Sequence, residues 1–345
     1  MRHAVVSEDL AEIASASLPF ERMRGKTVLV SGAGGFLPSY MVETLLYLNE
    51  TRGLGATVLA LERDAARAQA RFSHYEGRGD LRVVRQDVAE PLEYGGPVDF
   101  IVHAASPASP KRYLVDPVGT ILPNVIGTRN LLDLAQTKKS EAFLFFSSAE
   151  VYGEPDDCRS TVSEAVPGRL DPMHPRACYA ESKRMGETMC AAWHRQFGVP
   201  AKIVRVFHTY GPGMDLQDGR VFCDFVRDIV AGKDILVESD GRAVRPFCYL
   251  SDAVRAFFTV LLLGVPGEAY NVANDEARLS VMELAERLAG LFQSRGVGVQ
   301  LRGTPQPSTG AVSRCSPDIS KLRGLGWQPR HAIEVGFRRT VETYL

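Results

Sequence analysis

Long hydrophobic runs are what this 345-residue chain has least of. The longest, AFFTVLLLGVPG from Ala256, is too short to span a bilayer and follows Arg255. The first residues, MRHAVVSEDLAE, lack the apolar core of a secretory signal. Cysteine is sparse as well. The six, at positions 158, 178, 190, 223, 248 and 315, form no C-x-x-C, which argues against a disulfide framework and against zinc. The seven histidines show no metal-ligand spacing, so no metal is expected. Neither sign of charge is in excess: 40 basic and 41 acidic residues leave a net charge of −1, with no field for nucleic acid and no polybasic membrane anchor. What remains is the profile of a reduced, cytoplasmic globular protein, 45% hydrophobic and 23% charged.

Strand and helix patterns alternate through the first 200 residues. TVLVS from Thr27 is a continuous apolar run ending in glycines, as expected of a strand buried on both faces. Further strands are expected at TVLAL (57), LRVVR (81), FIVHA (100), FLFFSS (143) and AKIVRVF (201), with helices over 39–49, 120–136 and 179–197. Repeated βα units predict an α/β fold, a doubly wound and mostly parallel Rossmann-like sheet. After about residue 206 the rhythm loosens into a smaller, interleaved C-terminal domain. The expected division is a dinucleotide domain over 25–206, with 245–265 returning to it, and a substrate domain over 207–244 and 266–345. Residues 1–24 read as a short helical extension.

Two motifs carry chemistry. In SGAGGFLPSY, Gly32, Gly35 and Pro38 follow the first strand directly, where glycines let a pyrophosphate approach backbone amides at a helix N-terminus. Pro38 takes the place of the usual small third residue, which a helix's first turn tolerates. Glu62 closes the second strand, where a carboxylate binds a ribose diol and repels a 2′-phosphate; this favours NAD, with the adjacent Arg63 a contrary signal. Asp87 and Val88 after the third strand read as flanking adenine, the alternative being an ordinary turn Asp. The second motif is Tyr179-x-x-x-Lys183, which puts both side chains on one helix face. Alone, that spacing is common on solvated helices. Beside a glycine turn and Ser148 at a strand end, it predicts a phenol whose pKa the ammonium lowers, able to take a proton from an alcohol.

With these pieces together, the chain resembles the extended short-chain dehydrogenase/reductase family, and within it the nucleotide-sugar branch around UDP-glucuronate decarboxylase. The stretches that carry the resemblance are DVAEPL (87), HAASPASPKRY (103), PNVIGTRNLL (123), SSAEVYG (147), PRACYAESKRMGETMC (175), TYGPGMDLQDGRV (209), RPFCYLSD (245) and PDISKLRGLGW (317). It covers nearly everything from Lys26 onward.

The resemblance implies that Tyr179 deprotonates the sugar 4-hydroxyl while Lys183 holds the tyrosinate and the nicotinamide ribose. Ser148 would bond the same hydroxyl, and Asn124 would lie beneath the catalytic helix. It further implies Phe36, Leu37, Ala104 and Ala105 for the cofactor, and Ser106, Lys111, His208, Arg220 and Arg314 for a nucleotide sugar, with UDP favoured. Glu150 and Arg245 would handle protons or a sugar carboxylate, the bland alternative being a structural salt bridge. The implied reaction oxidises C-4, releases carbon dioxide from C-5 and returns the hydride, with a homodimer formed through the helices near 120–136 and 179–197.

Departures from the family pattern keep alternatives open. Ala149 stands where 4,6-dehydratases carry an acid and decarboxylases a hydroxyl; His208 replaces an Asn, and Glu238 an aromatic. A 4-epimerase needs only the Ser, Tyr and Lys. A non-catalytic NAD-binding scaffold is the alternative of another class, opposed by the intact Tyr179 and Lys183.

Overall fold

The computed structural model describes residues 2–153, 161–303 and 316–345. Helix α1 (Ala4–Ala14) comes first. There follow β1 (Thr27–Ser31), α2 (Phe36–Arg52), β2 (Thr57–Glu62), α3 (Ala65–Phe72), β3 (Leu81–Arg85) and β4 (Phe100–His103). Next are α4 (Pro110–Val115), α5 (Pro117–Leu122), α6 (Thr128–Lys138), β5 (Ala142–Ser148), the two-residue β6 (Thr161–Val162) and α7 (Ala177–Phe197). The chain continues through β7 (Ala201–Val206), β8 (His208–Tyr210), α8 (Val221–Val230), β9 (Ile235–Val237), β10 (Val244–Tyr249) and α9 (Leu250–Leu263). It closes with β11 (Ala269–Val272), β12 (Arg278–Ser280), α10 (Val281–Leu291), β13 (Val299–Leu301), β14 (Ser316–Pro317), α11 (Ser320–Arg323) and α12 (Ile333–Glu342).

Seven strands form one parallel sheet in the order β11-β7-β5-β4-β1-β2-β3. The continuous apolar runs exist because each central strand feeds two cores at once. Val28, Val30, Phe100 and Val102 pack under α1, α2 and α9, whereas Leu29, Ile101, Phe143 and Phe145 pack under α6 and α7. A third core joins α8, α10 and α12 to Phe247, Tyr249 and Leu279 of the small β12-β10-β8 sheet. This is the doubly wound architecture expected, with a smaller lobe beside it.

Three details differ from the sequence reading. The helix expected over 120–136 is broken at Pro123, which has no N–H to continue the ladder; residues Pro123–Gly127 form a π-turn between α5 and α6. Residues 269–272, read as substrate domain, return to the large sheet as β11 beside β7. Within 245–265, β10 belongs to the small sheet and only α9 packs on the large one. The N-terminal helix is integral. Its buried Asp9 accepts hydrogen bonds from Tyr40 (3.2 Å), Tyr249 (2.8 Å) and Arg339 (2.8 Å).

Candidate active site

The strand order reverses between β1 and β4, the crevice where doubly wound sheets bind ligands. A cleft of about 1200 Å³ opens there. Of the described residues named from sequence for the cofactor, the substrate or catalysis, all but Lys111 and Asn124 line it.

At the glycine turn, Gly32 has φ +66°, and a Cβ on it would stand 2.7 Å from the Ala105 backbone. That is a cradle which a side chain would fill, and it opens onto the first turn of α2, capped by Gly35. Glu62 lines the cleft and fixes the turn, accepting the Gly34 amide at 2.9 Å. Arg63 pairs with Asp87 at 3.4 Å across the adenosine end. These residues fit a dinucleotide.

Behind the turn lies an unpredicted connection. Ser31 Oγ accepts the Ala104 and Ala105 amides, each at 3.2 Å, so its own proton goes to His103 Nδ1 at 2.8 Å. His103 Nε2–H then donates toward the Pro123 carbonyl and Thr128. Burial, with the Lys183 charge, pulls His103 down to about 3 and keeps it neutral. Its ring joins β1, the loop after β4 and the π-turn.

Helix α7 places Tyr179 and Lys183 over the end of β5. The Ser148 hydroxyl lies near enough to the Tyr179 phenol to oppose the rise in its pKa, and Lys183 Nζ donates to the Phe146 carbonyl at 2.6 Å. Gly186 permits this closeness, since a Cβ there would overlap the Phe145 ring. Burial pushes Tyr179 up to about 12, opposed by the nearby Ser148 hydroxyl and Arg220. Burial likewise pulls Lys183 down to about 7, opposed by Glu187. The ammonium expected to lower the phenol is spent on a backbone carbonyl, and desolvation dominates both groups. Asn124 lies beneath the helix, as expected, donating to the Thr120 carbonyl and to Ser182, each at 3.0 Å.

At the far end, Glu150 and Arg245 share the cleft with Tyr179. Burial lowers the Arg245 pKa, Glu150 opposes this and Arg176 adds to it. Among the described residues no ion pair joins Glu150 to Arg245, so the bland salt-bridge reading has no contact behind it. Two buried polar atoms in the cleft, Ser106 Oγ and His208 Nδ1, have no partner among the described residues. Burial, Arg245 and Arg220 hold His208 well below its ordinary pKa. Arg220 donates to the Ala108 carbonyl at 2.9 Å, and Lys111 reaches the Gln217 carbonyl at 3.1 Å, outside the cleft lining. Ala149 lines the cleft without a polar side chain, whereas Glu238 is exposed and does not. Arg314 lies outside the described residues. The described cysteines 178, 190, 223 and 248 are free thiols.

Sequence reasoning missed Tyr113 and Arg176. Tyr113 stacks on Tyr179 with centroids 5.3 Å apart, and Arg176 donates to its hydroxyl at 3.0 Å. Both residues stand in quoted motifs, HAASPASPKRY and PRACY, so a signal existed; the contact between them did not.

The chain is similar to known proteins along most of its length. The family model described as "NAD dependent epimerase/dehydratase family" matches residues 28–273. UDP-glucuronic acid decarboxylase 1 of Xenopus tropicalis is 33% identical over 92% of this chain and 72% of its own. UDP-glucuronic acid decarboxylase 6 of Arabidopsis thaliana is 34% identical over 90% of this chain and 86% of its own. Among solved structures, the dTDP-glucose 4,6-dehydratase DesIV of Streptomyces venezuelae, with NAD bound, superposes with a TM-score of 0.77 at 26% identity, covering 92% of this chain and 96% of that one. The UDP-glucuronic acid 4-epimerase of Bacillus cereus shares the fold at TM-score 0.75 and 21% identity, covering 92% and 98%.

Proposed function

Because the chain belongs to the NAD dependent epimerase/dehydratase family, we propose that it decarboxylates a nucleotide hexuronate, UDP-glucuronate first among them, through transient oxidation at sugar C-4. The observation that carries this reading is the Glu150–Arg245 juxtaposition at the Tyr179 end of the cleft. A half-buried guanidinium that makes no ion pair among the described residues suits a sugar carboxylate. A carboxyl group beside it suits proton delivery to carbon.

Bound NAD supplies a hydride acceptor for C-4 that later gives the hydride back, and its cationic ring favours the Tyr179 phenolate. Gly32, Gly35 and the first turn of α2 would hold its pyrophosphate, and Glu62 its adenosine ribose. Tyr179 takes the proton of the 4-hydroxyl, with the Ser148 hydroxyl holding the oxygen in line and Lys183 facing the nicotinamide ribose. Once C-4 is a ketone, the C-5 carboxylate is β to it. The C–C bond breaks, carbon dioxide leaves, and the electron pair becomes an enolate whose oxygen meets Ser148 and the protonated Tyr179. Arg245 orients the carboxylate before the bond breaks. Glu150, in the same cleft, would return a proton to C-5. Reduction of the ketone then closes a redox-neutral cycle.

The nonpolar Ala149 favours a second reading, 4-epimerisation, which asks nothing of that position. It also opposes dehydration, which needs an acid there. The exposed apolar side chains of Leu114, Val115, Val118, Ile121 and Met185 on α4, α5 and α7 support a homodimer through these helices. No described helix is long and apolar enough to cross a membrane, and the four free thiols accord with a cytoplasmic setting.

Purified protein with NAD, incubated with a panel of UDP-, dTDP- and GDP-hexuronates and hexoses and read by mass spectrometry, tests the proposal. Loss of the mass of carbon dioxide from a hexuronate supports it. Isomerised sugar of unchanged mass moves the chain to the epimerases.

A further inference from the structure

Tyr179, Lys183 and Glu187 stand at i, i+4 and i+8 on one face of α7. Each meets a different consecutive residue at the end of β5. Tyr179 meets the Ser148 hydroxyl. Lys183 meets the Phe146 carbonyl at 2.6 Å, and Glu187 accepts from the Ser147 hydroxyl at 2.5 Å. Two hydrogen-bonded rungs, with Tyr179 facing Ser148 as a third contact, therefore fix how far along the strand the helix sits, and only the Tyr179 and Lys183 side chains belong to the chemistry. The Glu187 rung is anchored from behind. Arg205 of β7 forks onto both Glu187 oxygens at 2.9 and 2.7 Å, with each side chain 13% exposed. The same guanidinium donates to the Tyr152 hydroxyl at 2.9 Å and the Glu164 carbonyl at 3.1 Å, and lies 4.8 Å over the Tyr152 ring. Tyr152 in turn donates to Asn271 of β11 at 2.7 Å.

A bidentate, largely buried pair this far below the cleft is a poor source of stability, because desolvating two charges offsets most of their attraction. Its value lies in geometry. Rigidly forked and tied to two further strands, it cannot slide, so the Ser147 rung cannot slide either.

We infer that Glu187, clamped by Arg205, is a positioning residue that sets the register of the catalytic helix against β5 and thereby the alignment of Tyr179 with Ser148. The inference rests on the reading of Tyr179 as the base, but not on which nucleotide sugar is bound. Glu187 also supplies the opposing charge that supports the Lys183 ammonium. The other titratable or charged groups around Lys183 are Tyr179 and Cys190 on its own helix, His103 on β4 and Arg205 behind Glu187.

The test compares Glu187→Gln, Ser147→Ala and the double variant Glu187→Leu/Arg205→Met with the wild type and with Tyr179→Phe, using UDP-glucuronate and NAD as probes. The double variant leaves no unpaired buried charge, so it keeps the test alive if Glu187→Gln misfolds. Expected for Glu187→Gln and the double variant is a kcat lowered by about ten- to a hundredfold, with KM and the NAD dissociation constant changed less than about threefold. The alkaline limb of the kcat–pH profile should move to lower pH, since Lys183 loses the carboxylate that favours its charged form. Ser147→Ala should lower kcat without that pH shift. Folded variants with wild-type kcat and an unmoved profile would overturn the inference. Should Tyr179→Phe itself stay active, the reading of the base fails instead, so the two failures are distinct.

Discussion

The ring of Tyr113 lies almost flat against that of Tyr179, their planes 15° apart. A residue of the short helix α4 thereby forms a wall against the proposed base on α7, while Arg176 holds the wall by its hydroxyl. Offset aromatic pairs contribute roughly 0.5–1.5 kcal/mol beyond their burial. Tyr113→Leu should therefore lower kcat by about tenfold, while Tyr113→Phe, which keeps the stack, should stay within about threefold. Steady-state kinetics on the three proteins check this.

Removing the phenol itself is a harsher test. Tyr179→Phe should lower kcat by about 10² to 10⁴-fold and leave the dissociation constant for NAD within a few fold. Lys183→Met should weaken both turnover and NAD binding, because its ammonium faces the nicotinamide ribose in the proposed reading. Nucleotide-binding fluorescence alongside turnover separates the two outcomes.

Gly32→Ala addresses the cofactor cradle. Alanine at φ +66° is strained, and its methyl would stand 2.7 Å from the Ala105 backbone. The shift needed to relieve that contact moves the loop on which a pyrophosphate would sit. NAD affinity should fall by at least about tenfold while the protein stays folded, as read by titration and circular dichroism.

Much of this was legible in the sequence, for identifiable reasons. The central strands β1, β2, β4 and β5 are continuous apolar runs because each feeds two cores, and the glycine turn and the Tyr-x-x-x-Lys spacing are local patterns. What escaped is what only the sheet brings together. Glu187 and Arg205 are 18 residues apart and become partners once β7 lies beside β5. Tyr113 reaches Tyr179 across 66 positions. The four-residue strand AYNV is too short to announce its return to the large sheet, and the π-turn at Pro123 hides inside an otherwise helical pattern. Residues 1–24 looked like an appendage because the partners of Asp9 lie at 40, 249 and 339.

That N-terminal helix should prove necessary for stability. Asp9→Ala leaves Arg339 and two buried phenols without their acceptor, a loss of about 3 kcal/mol. A urea midpoint lowered at unchanged slope is the expected result.

A pH dependence follows from the same interface. His331 Nε2 faces Glu12 of α1 at 3.2 Å, and its Nδ1 faces Asp252 of α9 at 3.3 Å. Burial works against the charged ring, but the Asp252 and Glu12 carboxylates outweigh it and raise its pKa to about 9. The folded pKa lies above the unfolded value of about 6.5. The stabilisation is therefore complete below about pH 6.5 and is lost as pH rises through about 9. The wild-type Tm should drop across that window, and His331→Gln should flatten the drop.

The most direct test of the account is the fate of the sugar carboxylate. UDP-glucuronate labelled with carbon-13 at C-6, incubated with the protein and NAD, should release labelled carbon dioxide in step with a UDP-pentose and leave no net NADH. Label retained in an isomerised UDP-hexuronate would contradict decarboxylation and assign the same Tyr179, Lys183 and Ser148 to an epimerase.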